Sequence, residues 1–233
     1  MKRPALHRAL LTVVAVVQSL IATPAFSDSL RMLAPLGGQL TIPTVSMKGA
    51  RFMSTLRQQY DFSCGSAAVA TLLTHHYDYK VDEAQVFQTM FEHGNQEKIR
   101  VEGFSMLDMK RYLDHLGFRA DGIEASLDQL ASAGVPAIAL IQENGYAHFV
   151  VIKGLRADKV LLGDPAMGTR VMPRSRFEQI WINSILLVAR NRVDIARFNE
   201  ESDWRILPRA PLARGLDRNM VDVQLLQRGT WDY

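Results

Sequence analysis

The chain has 233 residues, of which 48% are hydrophobic, and it carries 27 basic against 24 acidic side chains. This length and apolar content suffice for one hydrophobic core and hardly for two, so we expect one globular domain with extensions. Three of the basic residues and none of the acidic ones precede Asp28. The remainder of the chain is therefore formally neutral, and its charge gives no indication of nucleic-acid binding.

Residues 1–27 have the layout of a secretory signal peptide, in which basic residues precede an apolar run and small residues follow it. The apolar run, residues 9–22, is shorter than the roughly 20 residues that a membrane-spanning helix needs. We therefore expect export to the periplasm, cleavage of this segment and no stable membrane anchor. The alternative is an uncleaved segment that acts as an anchor. The basic residues that precede the apolar run are Lys2, Arg3 and Arg8.

Residues 28–54 are predicted to be an N-terminal extension, because turn-forming residues interrupt its short apolar patches. Beyond this extension, apolar residues recur at helical spacing in four segments. The third segment begins with a capping-box pair, Ser105 and Asp108, and ends at Gly117. The four predicted helices cover residues 65–77, 82–91, 106–116 and 126–133.

The pattern then changes to short apolar and β-branched runs that are typical of strands, namely PAIALIQ, AHFVVIKG and KVLLGD. Asn144–Gly145 lies between the first two runs and predicts a tight hairpin. Two further strands are predicted at 169–172 and 184–189, with a short helix at 176–182. Helices followed by antiparallel strands indicate an α+β fold. Residues 189–233 are predicted to be a C-terminal appendage or a strap over the domain.

Cys64 is the only cysteine in the chain, so it can form no intrachain disulfide. In an oxidising compartment an odd cysteine suggests a reactive thiol. The alternative is an inert, buried cysteine that packs as a small hydrophobe. The predicted helix N-terminus at Cys64 would lower the pKa of the thiol, because unpaired N–H groups there carry partial positive charge. Gly65 beside it would let a substrate backbone come close.

A thiol nucleophile needs a base, and five histidines lie outside the predicted signal peptide. Two of them follow Cys64 on its own predicted helix, roughly 16 Å away at 1.5 Å per residue, which is too far for a hydrogen bond. Two others lie at predicted helix ends, where a structural role is expected. His148 opens a predicted strand and is the candidate base, with an ordinary strand histidine as the alternative. The other four are His75, His76, His93 and His115.

Asp164 ends the strand that follows the one containing His148, so both side chains can lie at one edge of the sheet. There the carboxylate would orient the imidazole. The alternative for Asp164 is a turn starter, since Gly-Asp-Pro is common in turns. Gln58 is the candidate oxyanion donor, together with the backbone N–H of Cys64. A solvated loop glutamine is the alternative for Gln58, and Gln59 is a rival for its role.

Four motifs occur in order within residues 55–188: Gln58-x5-Cys64-Gly65, His148-Phe149-Val150-Val151-Ile152-x-Gly154, Val160-x3-Asp164-Pro165-x2-Gly168 and Phe177-x3-Trp181. Together they resemble the C39 peptidases, a family of papain-like cysteine peptidases known for removing double-glycine leaders from exported peptides. The resemblance implies a papain-like fold with N-terminal helices packed on an antiparallel sheet. By position, it implies Cys64 as nucleophile, His148 as general base and acid, and Asp164 as orienting residue. It also makes Gln58 the oxyanion glutamine.

The familiar C39 peptidases are fused to an exporter, whereas this sequence has no GxxxxGK[ST] nucleotide loop. It is more similar to stand-alone, exported members, including those of functional-amyloid secretion systems. The resemblance implies a periplasmic cysteine endopeptidase that needs no metal or organic cofactor. Its substrate would be a secreted polypeptide, either an amyloid subunit or a component of the export system, cleaved through a thioester acyl-enzyme.

Two other functions share the same residues. One is a catalytically idle binding module that escorts an export substrate, and the other is an acyl or amide transferase with the same triad. Sequence alone leaves all three open, because water and an amine can compete for one acyl-enzyme. The pair Gly37–Gly38 follows an apolar patch and permits the hypothesis of self-processing after Gly38, with a plain turn as the alternative.

Overall fold

The structure is a computed structural model that describes residues 28–33, 39–44 and 46–205. The predicted signal peptide, the pair Gly37–Gly38 and the last part of the predicted appendage, from residue 206 on, lie outside the described residues. The chain divides into two units, residues 1–45 and 46–233.

The first unit contains two antiparallel strands, β1 (Asp28–Leu33) and β2 (Gln39–Thr44). The sequence predicted an extension here and no strands. The reason is that Pro43 and the turn-forming residues break the alternation that identifies a strand.

Eight α-helices are described in the second unit, and they include the four that the sequence predicted first. Two shorter helical turns accompany them, a π-helix at Leu72–His76 and a 3₁₀ turn at Val193–Ile195. The α-helices are α1 (Met47–Arg51), α2 (Cys64–Thr71), α3 (Glu83–His93), α4 (Gln96–Glu102), α5 (Met106–His115), α6 (Leu127–Ala133), α7 (Arg174–Ile180) and α8 (Glu201–Trp204).

A six-stranded sheet forms the centre of the second unit, and every neighbouring pair of strands in it is antiparallel. The strands are β3 (Ala120–Glu124), β4 (Ala137–Glu143), β5 (Tyr146–Arg156), β6 (Lys159–Asp164), β7 (Gly168–Pro173) and β8 (Trp181–Ala189). Their order is β3-β8-β4-β5-β6-β7. Helices α2 to α5 precede the sheet in sequence, so the predicted α+β class is confirmed.

Strand β5 is packed on both faces. Phe149 and Val151 belong to the hydrophobic cluster that contains helix α2. Val150 and Ile152 belong to the cluster formed with α6 and α7. All eight residues of α2 are buried, which explains why its sequence is apolar and small all round rather than amphipathic.

Local signals placed several of these elements correctly. The Ser105 side chain accepts a hydrogen bond from the Asp108 N–H and the Asp108 carboxylate accepts one from the Ser105 N–H, which is the predicted capping box of α5. Asn144 and Gly145 both have positive φ, 54° and 80°, as the two-residue turn between β4 and β5 requires. The sequence predicted one continuous helix over 65–77, whereas α2 begins at Cys64 and its last turns widen into the π-helix.

The segment after β8 is bonded to strand β5. Asn199 donates its N–H to the Lys153 carbonyl and accepts the Leu155 N–H on its side chain. Further on, the Asp203 carboxylate lies 2.9 Å from the Lys153 ammonium, whose side chain is fully buried. Lys153 also donates to the Ser54 carbonyl at 2.7 Å, and the Ser54 hydroxyl donates to Asp203 at 2.6 Å. Segments that precede and follow the sheet in sequence are therefore joined at one buried cation.

Within the described residues, no helix combines the length and the apolar character that crossing a bilayer requires.

The substitution Asp203→Asn is expected to lower the free energy of unfolding by about 3 kcal/mol, because it leaves the buried Lys153 cation without its counter-charge. Urea denaturation followed by circular dichroism measures this loss. The matched control is Glu102→Gln, which breaks the ion pair between Lys98 and Glu102, two side chains that are 61% and 64% exposed. The control is expected to cost less than about 1 kcal/mol. Equal losses in the two variants would contradict the prediction.

Acid is expected to destabilise the fold through His76. Burial, with the nearby Lys153 charge, lowers the pKa of His76 to about 4, while its Nδ1–H donates to the Arg197 carbonyl at 2.6 Å. Between pH 6.5 and 4 the unfolded chain therefore binds a proton that the folded chain refuses, so stability falls as the pH falls through this window. The loss approaches about 3 kcal/mol.

His76→Asn keeps a donor for the Arg197 carbonyl but does not titrate, so this variant should lose less stability over the same pH window. His115→Asn, at an exposed position, is the control and should show the same pH dependence as the wild type. Parallel curves for wild type and His76→Asn would refute the assignment.

Candidate active site

Cys64 is the first residue of α2, at the N-terminus that the sequence predicted. The sequence predicted that Gly65 would let a substrate backbone come close. In the structure Gly65 instead packs against Phe104. A Cβ added at Gly65 would lie 2.9 Å from the Phe104 Cβ, so the glycine is required by packing inside the domain. On the same helix, the Ser66 hydroxyl lies 2.8 Å from the buried Glu83 carboxylate and fixes the first turn of α2 against α3.

Cys64 is 7% exposed, and this burial has the largest effect on the pKa of its thiol. Burial raises the pKa of the thiol above its ordinary value, and the negative charge of Asp164 acts in the same direction. The backbone N–H groups of Phe149, Gly65 and Cys64 itself oppose the increase without cancelling it. The expected lowering of the thiol pKa by the helix N-terminus is therefore wrong for the free protein, since desolvation is the larger effect.

His148 and Asp164 are in direct contact, as the sequence predicted. The His148 Nε2 lies 3.1 Å from the Asp164 Oδ2, and the two side chains are 8% and 0% exposed. The other ring nitrogen, Nδ1, is buried and has no hydrogen-bond partner among the described residues. Because an ionised carboxylate only accepts hydrogen bonds, the imidazole proton lies on Nε2. The Nδ1 lone pair is then free to accept another proton.

The register of β5 and β6 explains this contact. The two strands are antiparallel, with Val151 opposite Gly163. His148 therefore lies just before the paired region on one strand, and Asp164 lies at its end on the other. Residues that are diagonal neighbours across an antiparallel pair share a face and are within reach of long side chains.

Asp164 has donors on both carboxylate oxygens. Its Oδ1 accepts the backbone N–H groups of Ala166 at 2.9 Å and Met167 at 3.1 Å, so the turn-starting role is also present. Its Oδ2 accepts from His148 and from the Arg170 guanidinium, whose Nε is 3.0 Å away. Burial by itself would raise the pKa of the Asp164 carboxyl, but the hydrogen bond from His148, the Arg170 charge and the Ala166 N–H together lower it.

Gln58 is half-buried on the loop before α2, while its rival Gln59 is exposed. The Gln58 backbone N–H donates to the Pro165 carbonyl at 3.1 Å, which joins this loop to the turn after Asp164. Its side-chain Nε2 donates to the carbonyls of Tyr60, at 3.0 Å, and Asp61, at 3.4 Å. The Gln58 amide thus lies on the loop before Cys64, and its N–H groups are bound to that loop itself.

A groove of about 580 Å³ opens beside the thiol. Cys64, Phe149 and Tyr146 line it, and apolar side chains such as Leu140 and Ile185 form much of its wall. The Tyr146 ring stacks on the His148 ring with centroids 5.7 Å apart. The Tyr146 hydroxyl donates to the Asp61 carbonyl at 2.6 Å, so the tyrosine connects the β4–β5 turn to the loop before Cys64.

The other histidines lie away from this groove. His75 and His76 end the π-helix beyond α2, at the opposite end from Cys64. His93 and His115 are at the C-terminal ends of α3 and α5, and both line a separate pocket of about 240 Å³. Within the described ranges, no group of three or more His, Cys, Asp or Glu side chains is arranged to hold a metal ion.

Sequence reasoning missed Arg170, Glu143 and Tyr146. The Arg170 guanidinium bridges Asp164 and Glu143, with 2.9 Å between its Nη2 and the Glu143 Oε2. A charged residue inside the strand predicted at 169–172 was the available signal for Arg170. Glu143 and Tyr146 flank the Asn144–Gly145 turn and pair with each other in the strand register, which the hairpin prediction placed without indicating a role.

The sequence pattern of the Peptidase C39 family matches residues 53–193. A relative from Pseudomonas fluorescens, named "Probable functional amyloid protease FapD", is 38% identical over 170 residues, which cover 72% of this chain and 75% of the relative. The protein of the same name from Pseudomonas aeruginosa is 40% identical over 154 residues, 66% of this chain and 68% of that relative.

Among solved structures, the peptidase domain of Streptococcus ComA, described as a bifunctional ABC transporter involved in quorum sensing, superposes with a TM-score of 0.48. It is 21% identical and covers 58% of this chain and 97% of the ComA domain. The family match extends over more than half of the chain, and the Pseudomonas relatives exceed one third identity over most of it. The chain therefore belongs to the peptidase C39 family and is a cysteine peptidase.

Proposed function

We propose that this peptidase cleaves a secreted polypeptide in the periplasm, with Cys64 as nucleophile, His148 as base and Asp164 as orienting carboxylate. The observation that carries the proposal is the contact between the His148 Nε2 and Asp164. It leaves the His148 Nδ1 able to accept a proton, and the Tyr146 ring that stacks on His148 lines the groove beside Cys64. A base held by a carboxylate beside a nucleophile is the arrangement that acyl transfer needs.

In the proposed reaction, the Cys64 sulfur attacks the scissile carbonyl carbon while its proton passes to the His148 Nδ1. The tetrahedral intermediate collapses to a thioester when the C–N bond breaks and His148 returns the proton to the leaving amine. Water, deprotonated by His148, then hydrolyses the thioester. Because burial raises the pKa of the free thiol, we place proton transfer within the attack rather than before substrate binding.

Two donors are proposed for the oxyanion, the Cys64 backbone N–H and the Gln58 side-chain amide. The Gln58 Nε2 donates to the Tyr60 and Asp61 carbonyls in the free protein. Its amide therefore has to rotate away from these carbonyls when substrate arrives. A Gln58 backbone fixed to the Pro165 carbonyl keeps the side chain within reach while it turns.

The location and the substrate class are proposed from the sequence and the relatives. Residues 1–27 have the features of a cleavable signal peptide, which supports a periplasmic site of action. The two Pseudomonas relatives are named functional amyloid proteases. We therefore propose an amyloid subunit, or another component of its export system, as the polypeptide that this chain cleaves.

Cells that express the wild type are expected to contain periplasmic polypeptide N-termini that are absent from cells with Cys64→Ala or His148→Ala. N-terminal proteomics measures this difference and identifies the substrate. On a peptide that spans the cleavage site, both variants should lose at least about 10³-fold in kcat/KM, and Asp164→Asn about 10²-fold to 10⁴-fold.

The control variant is His115→Ala, whose exposed side chain lies outside the groove and which should retain full activity. Circular dichroism should show the native fold in every variant. If Cys64→Ala yields the same N-termini as the wild type, the chain acts by binding an export substrate rather than by cutting it.

Alkylation of Cys64 by iodoacetamide in the free protein is expected to accelerate only above the ordinary thiol pKa of about 8.5, because the buried thiol is neutral. Mass spectrometry reads the rate at a single site, since the chain has one cysteine. The same protein in guanidinium chloride is the control and should show the ordinary pKa. A plateau of fast alkylation below pH 7 would instead demonstrate a preformed thiolate.

A further inference from the structure

Arg170 is partly buried and contacts the proposed orienting residue Asp164, a contact that neither the sequence motifs nor the proposed reaction explains. It lies on β7, and its side chain is 15% exposed. The Nε and Nη2 of its guanidinium are each 3.0 Å from the Asp164 Oδ2. The same Nη2 is 2.9 Å from the Glu143 Oε2, and the Glu143 side chain is 22% exposed. One guanidinium therefore holds two carboxylates at once.

These residues come from four neighbouring strands of the sheet. Glu143 ends β4, His148 is on β5, Asp164 ends β6 and Arg170 is on β7. Arg170 is paired with Leu162, two residues before Asp164, so Arg170 and Asp164 lie on the same face of the sheet. A planar guanidinium can present several N–H groups in fixed directions to two carboxylates, which an ammonium cannot do with the same geometry.

We propose that Arg170 is a positioning residue of the peptidase site and that Glu143 anchors it. In this role Arg170 holds the Asp164 carboxylate in the orientation that directs the His148 Nδ1 toward the nucleophile. The inference rests on the proposed function, because it acts through Asp164 and His148 and not on the substrate.

The arrangement has a specific electrostatic consequence. The titratable or charged groups that face Asp164 are Cys64 on α2, His148 on β5, Arg170 on β7 and, beyond the arginine, Glu143 on β4. Two carboxylates and one guanidinium leave a net charge of one negative unit beside the imidazole. Asp164 alone would give the same charge, but with Arg170 and Glu143 its orientation is also fixed. Without Glu143 the sum would be zero, and the imidazolium that forms during catalysis would lose its stabilisation.

An ion pair that only stabilised the β6–β7 hairpin would have the same geometry, so the test needs a measurement that stability does not change. The acid limb of the pH profile of kcat/KM serves, because it reports the protonation of groups that the free enzyme needs ionised. The Arg170 charge lowers the pKa of the Asp164 carboxyl, so removing that charge raises this pKa, and removing the neighbouring Glu143 charge lowers it. The two substitutions must therefore shift the limb in opposite directions.

The experiment compares the variants Arg170→Gln, Arg170→Lys and Glu143→Gln with the wild type, on a peptide that spans the cleavage site. Arg170→Gln should lower kcat about 10-fold to 10²-fold and move the acid limb up by about one pH unit. Arg170→Lys should return the limb toward its wild-type position while kcat stays low. Lysine restores the positive charge but not the planar set of N–H donors that holds both carboxylates. Glu143→Gln should move the limb down.

The control is Arg174→Gln, which breaks an ion pair with Asp128 on the protein surface and should leave the profile unchanged. If Arg170→Gln does not fold, Glu143→Gln decides alone: a downward shift supports the proposal and an unshifted limb overturns it. An unshifted limb in a folded Arg170→Gln variant likewise assigns Arg170 to stability only.

Cys64→Ala in the same assay distinguishes a failure of the proposed function from a failure of the role of Arg170. Cleavage that persists in Cys64→Ala refutes the proposed function itself, together with the inference built on it. Cleavage that is lost in Cys64→Ala while Arg170→Gln keeps the wild-type profile refutes only the role of Arg170.

Discussion

Strand β5 is fixed on both edges and on both faces, and the position of the site follows from that constraint. Its edges pair with β4 and β6, while its alternate side chains enter two separate hydrophobic clusters. A slip of one residue would transfer every side chain to the wrong face, which two buried faces forbid. The strand begins at the Asn144–Gly145 turn, so His148 has a defined height and direction at the rim of the sheet.

The pKa values of Cys64 and Asp164 are shifted in opposite directions, although burial acts on both groups in the same way. Desolvation raises the pKa of both, but Asp164 receives two backbone N–H groups, an imidazole and a guanidinium, which together lower its pKa below the ordinary value. Among the effects on the Cys64 thiol, the opposing ones are backbone N–H groups only, and its pKa remains raised. The carboxylate thus stays charged while the thiol stays neutral, and in the proposed reaction the His148 imidazole is the group that exchanges the proton.

Local chemistry was readable from the sequence, whereas long-range chemistry was not. The capping box of Ser105, the Asn144–Gly145 turn and the apolar runs of β4, β5 and β6 each depend on residues a few positions apart, and the structure has them as predicted. The juxtaposition of His148 and Asp164 could also be predicted, because two consecutive antiparallel strands have their ends together.

The balance between burial and the helix N-terminus at Cys64 could not be predicted, since it depends on how much of the domain covers the thiol. The same limit applies to Arg170 and to the Lys153 network. The residues that Arg170 and Lys153 contact depend on the order of the strands in the sheet and on the position of the segment after β8. No local sequence pattern indicates either. Strands β1 and β2 are short, and Pro43 in the second weakens the strand signal of its sequence.

The bond between Ser54 and Asp203 joins residues that are 149 positions apart, and it has a consequence for the order of events during biosynthesis. Ser54 stands at the start of the loop that leads to Gln58 and Cys64, and its carbonyl is held by Lys153. A ribosome makes Ser54 long before Asp203. The segment ahead of the nucleophile therefore lacks this bond until Asp203 has been synthesised, and a chain that ends before Asp203 holds the loop only through its other contacts, such as those with Lys153 and Pro165.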